Sequence, residues 1–169
     1  MFRKLFPLAV VMAAAVAFDL GTKSWAEESL IPYLPVALSG DWLRLTLLYN
    51  EGIAFGLFAT NGPGVIIVSG IATVLLALWL LHGLRTGSYP MPAPWALGVL
   101  IGGALANFLD RIVDGRVTDF IDIGIGAHRW ATFNFADFFV LIGISMLVLK
   151  SYLDQPPSDA IQPEEQDPV

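Results

Sequence analysis

The chain contains no cysteine among its 169 residues, which excludes a disulfide framework, thiolate catalysis, cysteine-ligated metal and iron–sulfur clusters. Charge is scarce too: Asp, Glu, Lys and Arg make up 14% of the sequence, against about 25% in ordinary soluble domains. Hydrophobic residues make up 56% and mean hydropathy is +0.67, so the charge-free runs are long enough for lipid to be the solvent. No basic patch points to nucleic acid. Histidine is confined to His82 and His128, so no HExxH metal site exists, and no serine sits in a nucleophile-elbow motif. The net charge of −6 belongs to a Pro-rich tail, residues 154–169, whose five acids (Asp154, Asp159, Glu164, Glu165, Asp167) meet no base. Without them, nine bases face ten acids. Such a tail has too little apolar surface to offset ordering entropy and is expected to be disordered.

What is present is a set of apolar runs. A bilayer core of about 30 Å needs roughly 20 apolar residues in helix, and four segments qualify: about 5–25, 63–84, 92–112 and 132–152. Residues 1–153 are therefore expected to form one membrane-embedded unit, with outer segments at 26–62 and 110–131. Arg3-Lys4 followed by apolar residues and Ala15-Val16-Ala17 also reads as a cleaved signal peptide. Asp19 and Lys23, spaced to pair on one helical face, argue that the helix continues. Four spans put both termini on one side, and Arg3, Lys4, Arg85 and Lys150 assign that side to the cytoplasm. Gly98, Gly102 and Ala106, with Gly103 beside them, suit close helix packing. Leu43, Leu45, Leu47 and Tyr49 alternate with Trp42, Arg44 and Thr46, the period of a half-buried strand. Trp25, Trp42, Tyr49 and Trp130 fall near the expected outer interface.

Asp137 is the most informative residue, because a carboxylate at mid-membrane costs about 2.5 to 3.5 kcal/mol. With the helix starting near Thr132 it lies about 8 Å along it, near the outer surface. A second carboxylate must come from the outer segment, which offers Asp110, Asp114, Asp119 and Asp122. Asp119 stands out because Val117-Thr118 and Phe120-Ile121 shield it from bulk water, whereas Asp110 and Asp114 suit Arg111 and Arg116 as partners. By elimination, what survives is a carboxylate pair.

Four ordered segments then carry a resemblance: Asn50-Glu51-Gly52-Ile53-Ala54-Phe55, Gly103-Ala104-Leu105-Ala106-Asn107-Phe108-Leu109-Asp110-Arg111, Val117-Thr118-Asp119-Phe120 and Phe133-Asn134-Phe135-Ala136-Asp137. Their order, spacing and four-span setting resemble bacterial lipoprotein signal peptidase, signal peptidase II, from about residue 5 to 153. The family's first-helix motif usually reads Asp-Gln-x-x-Lys; here it is Asp19-Leu20-Gly21-Thr22-Lys23, which keeps the Asp and Lys and replaces the Gln.

The resemblance implies an integral membrane, mainly α fold of four transmembrane helices with a small β-sheet segment on the outer membrane surface, its first helix retained. It implies an aspartyl endopeptidase that removes signal peptides from prolipoproteins, cutting before a diacylglyceryl-modified cysteine. Asp119 and Asp137 are its catalytic pair. Asn50, Gly52, Asn107, Arg111 and Asn134 hold substrate or support the pair, and Asp19 and Lys23 form a structural polar pair. No cofactor or metal is expected. The expected partners are lipid-modified prolipoproteins and membrane lipid, for a monomer in the bacterial inner membrane with its active site near the extracytoplasmic face. The rival reading is a proton- or ion-coupled transport component using the same aspartates.

Overall fold

The computed structural model describes residues 2–52, 63–87 and 93–153. Residues 53–55 of the first motif and the acidic tail, 154–169, lie outside the described residues. Element order is α1 (Phe2–Ser29), β1 (Val36–Ser39), β2 (Leu43–Asn50), α2 (Pro63–Thr86), α3 (Ala93–Asp114), β3 (Val117–Ile125), β4 (His128–Arg129) and α4 (Phe135–Leu153). All four helices are long and apolar enough to cross a membrane. Three boundaries differ from the sequence expectation. α1 runs to Ser29, past residue 25, because Asp19 and Lys23 pair within it at 2.7 Å and the final turn packs Ala26 under the sheet. α3 continues to Asp114, two residues past the expected 112, so Asp110 and Arg111, where the expected span and outer segment overlapped, are helical. α4 starts at Phe135, not near 132, because Phe133 is still bridged to Ile121 of β3.

α3 is the hub, packed against α1, α4 and α2. Small residues make the two tight contacts possible. A Cβ on Gly98 would lie 2.8 Å from the Leu8 carbonyl oxygen, and one on Gly102 2.8 Å from the Ala15 side chain, both on α1. On the α4 side, a Cβ on Gly103 would collide with the Ala136 carbonyl oxygen. In lipid, where hydrophobic burial no longer drives helices together, such close backbone approach is what associates them. Leu8, Leu80, Leu84, Leu97, Leu100 and Ile101 fill the bundle between α1, α2 and α3. The outward faces of α2 (Ile67, Ile71, Leu75, Leu78) stay exposed, as a lipid-facing surface should.

The strands form one antiparallel sheet in the order β1-β2-β3-β4. From Leu45↔Ile121 to Leu48↔Asp119 the chain takes three steps along β2 and two along β3. β2 therefore carries a bulge, strict alternation breaks there, and Thr46 and Leu47 are both buried. Ala26, Leu30, Leu47 and Phe120 form a second core that seats the sheet on the end of α1. Tyr49, expected at the membrane interface, packs against this core, and Arg116 lies 3.6 Å over its ring.

Candidate functional site

The site is assembled where α3 hands the chain to β3 and where α4 begins. α3 ends on Gly115, which adopts φ +71° and donates its N–H to the Arg111 carbonyl at 3.0 Å. Only glycine takes that left-handed conformation without steric cost. Two residues later β3 starts, its register held by Asp110, whose Oδ2 accepts the Thr118 N–H at 3.1 Å. This points Asp119 into a site where it is only 4% exposed.

Phe133 exchanges backbone hydrogen bonds with Ile121, at 2.8 and 3.1 Å, which brings Asn134 beside Asp119. Asn134 is the N-cap of α4: its Oδ1 accepts the Asp137 N–H at 3.0 Å, and Asp137 Oδ2 accepts the Asn134 N–H at 3.3 Å. This reciprocal pattern satisfies two otherwise orphaned amides. Asp137 therefore sits in the first helical turn, about 4 to 5 Å from the cap at 1.5 Å per residue, and closer to the helix end than the 8 Å expected from sequence. It is exposed, whereas Asp119 is buried.

Three amides join the two carboxylates. Asn134 Nδ2 donates to Asp119 Oδ1 at 2.7 Å, Asn50 Nδ2 donates to Asp119 Oδ2 at 3.2 Å, and Asn107 Nδ2 donates to Asp137 Oδ1 at 2.8 Å. Asn107 Oδ1 accepts from Asn134 Nδ2 at 3.1 Å and from Lys23 Nζ at 2.8 Å. Gly52 donates its N–H to Asn50 Oδ1, and its carbonyl accepts Arg111 Nη2 at 2.8 Å. Asp19 Oδ1 accepts the Ala136 N–H at 2.6 Å, tying α1 to the first turn of α4. All nine site residues expected from sequence thus fall in one connected network drawn from α1, β2, the residues after it, α3, β3 and α4.

Burial, first, and the neighbouring Asp137 carboxylate push Asp119 up to about 7, while the hydrogen bonds from Asn50 and Asn134 act in the opposite direction. A carboxyl group with that affinity can hold a proton near neutrality and still release it. Beside a second carboxylate, it equips the pair for general acid and base work.

Some neighbours are not the ones expected. Asp110 pairs with Lys23 at 3.0 Å. Arg111 binds the carbonyls of Asn107 and Gly52, and Arg116 stacks on Tyr49. Asp122 is buried, accepting from Arg129 Nε at 2.8 Å and Thr46 Oγ1 at 3.0 Å, so it locks the sheet instead of facing solvent. The Thr118 hydroxyl donates to Glu27 Oε1 at 2.5 Å, a pairing with no signal in the sequence, because the partner lies 91 residues away.

The family described as signal peptidase (SPase) II matches residues 11–153. Proteins named lipoprotein signal peptidase from Hydrogenovibrio crunogenus and Aquifex aeolicus are 35% and 34% identical, covering 83% and 86% of this chain and 82% and 86% of their own. Two solved structures, described as bacterial membrane enzymes determined by the in meso method at 2.3 and 1.9 Å, superpose with TM-scores of 0.75 and 0.74. They are 25% and 27% identical, covering 96% and 88% of this chain and 94% of each of theirs.

Proposed function

The chain belongs to the lipoprotein signal peptidase (signal peptidase II) family, and from that premise we propose that this multi-pass membrane peptidase is an aspartyl endopeptidase acting through Asp119 and Asp137. One observation carries the proposal: two carboxylates from separate elements meet around one asparagine, Asn134, at one end of the helices. The ionised member of the pair takes a proton from water as the water oxygen bonds to the scissile carbonyl carbon. Its protonated partner donates to the carbonyl oxygen. Collapse of the tetrahedral species breaks the C–N bond, the leaving nitrogen takes a proton from the pair, and no covalent enzyme intermediate forms. A transport relay would need acids near the bilayer midplane; here one acid is on a strand outside the helices and the other is in a first helical turn.

The substrate class follows from position. A signal peptide's apolar core lies in the bilayer, so its cleavage site emerges at the end of the helices where the pair sits. A site at that depth can also grip acyl chains, at about 0.8 kcal/mol per buried CH₂, which suits a prolipoprotein cut before a diacylglyceryl-modified cysteine. Purified protein in detergent should cleave the lipid-modified precursor and cleave the same precursor without its diacylglyceryl group poorly or not at all. Equal cleavage of both would assign a general signal peptidase.

The enzyme acts as a monomer, with both termini cytoplasmic and the sheet and carboxylates on the extracytoplasmic side. Reporter fusions active only outside the cytoplasm should work after Gly40 and Gly124 and fail after Gly87. Activity at Gly87 would invert the orientation.

A further inference from the structure

The three amides around the carboxylates are each ambiguous in principle, because half a turn about the last side-chain bond exchanges donor for acceptor. Asn50 and Asn134 are locked by backbone: Asn50 Oδ1 accepts the Gly52 N–H and Asn134 Oδ1 accepts the Asp137 N–H, both at 3.0 Å. For Asn107 the partners of Oδ1 among the described residues are side chains, Lys23 Nζ at 2.8 Å and Asn134 Nδ2 at 3.1 Å. An ammonium group has three donors and no acceptor, so it constrains the amide in one direction only. Lys23 is 2% exposed, and its ammonium is paired with Asp19 Oδ2 at 2.7 Å and Asp110 Oδ2 at 3.0 Å. Those two carboxylates, from α1 and α3, hold the ammonium still.

We propose that Lys23 is a positioning residue for catalysis: donating to Asn107 Oδ1 as the closer of that oxygen's two donors, beside Asn134 Nδ2, it holds Asn107 Nδ2 toward Asp137. This inference rests on the aspartyl reading and goes beyond the structural pairing of Lys23 with Asp19. Without the ammonium only the longer bond from Asn134 Nδ2 opposes a turn of Asn107, and in the turned state Asn107 Oδ1 accepts a hydrogen bond from a protonated Asp137. That hydrogen-bonded state idles the pair.

The test is a double-mutant cycle on the full chain in detergent, reading kcat and KM on a lipid-modified precursor. Lys23→Met should lower kcat by about 10²-fold, with KM within about threefold, and Lys23→Arg, which keeps the donors, should recover most of it. In the Asn107→Ala background, Lys23→Met should cost less than about threefold more, because the group it acts through is gone. Losses that multiply would overturn the inference and leave Lys23 with only the task of holding α1 against α3. If Lys23→Met does not fold, Asn107→Asp decides. It keeps an acceptor for Lys23 but cannot donate to Asp137 in its ionised form, so near wild-type kcat of the folded protein overturns the role, and a kcat lowered about 10²-fold to which Lys23→Gln adds less than about threefold supports it. Asp137→Asn, run alongside, separates the two levels. Wild-type cleavage by that variant would defeat the aspartyl reading and the positioning role together; an inactive Asp137→Asn with multiplying losses would defeat the positioning role alone.

Discussion

Asp119→Asn and Asp137→Asn should each insert and fold yet lose cleavage of the lipid-modified precursor by about 10²- to 10⁴-fold or more, since general acid and base action is worth that much and the two groups act as a unit. The structure makes the two losses chemically distinct. Asp119 accepts from two amide donors, Asn50 and Asn134, so an amide at 119 turns an NH₂ toward one of them and leaves a buried donor unpaired, at about 1 to 3 kcal/mol. Asp137 is exposed and held by its own cap, so its amide variant should be the more stable protein. Asp114→Asn, at an exposed position, should cleave normally. The pH profile provides a second reading. Asp119 is pushed up to about 7 by burial and by Asp137, and the pair needs one proton, so the rate should fall as pH rises through that value. Asn50 donates to the ionised carboxylate and so favours it. Asn50→Ala removes that preference, and the alkaline limb should move to higher pH, reporting constants of the pair. A limb moving to lower pH, or near wild-type cleavage by Asp137→Asn, would remove the aspartyl assignment.

Gly103→Ala should do nearly as much damage without touching a reacting group. The added Cβ would meet the Ala136 carbonyl oxygen and would also lie 3.1 Å from the Val140 backbone nitrogen. Backbone cannot swing aside as a flexible side chain can, so the first turn of α4 must move. A displacement of about 1 Å there can cost about 10²-fold in rate, with overpacking adding about 1 to 3 kcal/mol of destabilisation. The comparison is Gly21→Ala on α1, where a Cβ meets nothing within 4 Å; rate and melting temperature in detergent should hold. If the two variants behave alike, the α3–α4 contact does not set the position of Asp137.

The helices and the two carboxylates were legible in the sequence because their signals are local: uncharged runs about 20 residues long, and Asp137 alone inside one of them. The N-cap was written there too, since Asn134 precedes an acid by three residues and an apolar run follows. The helix start was nonetheless expected three residues early, near Thr132, because Phe133 extends the apolar pattern while being tied to β3. The β2 strand was readable from its alternation, but the bulge at Thr46 and Leu47 was not, because a bulge is defined by the partner strand, about 70 residues downstream. Long-range polar pairs were equally hidden. Asp110 has Arg111 as its neighbour in sequence, yet it binds Lys23, which the packing of α1 on α3 brings to it.

The cap that joins Asn134 to Asp137 also has a meaning in time. Asp119 emerges from the ribosome with β3, but Asn134, Asp137 and the amide that satisfies Asp19 all arrive with α4, the last described helix. Until that helix is threaded into the bilayer and docked on Gly103, the nascent chain holds one acid of the pair and an unfinished cradle. On the proposed aspartyl reading, a chain whose own first span has the charge and apolar pattern of a signal peptide therefore completes its site only with its last described helix.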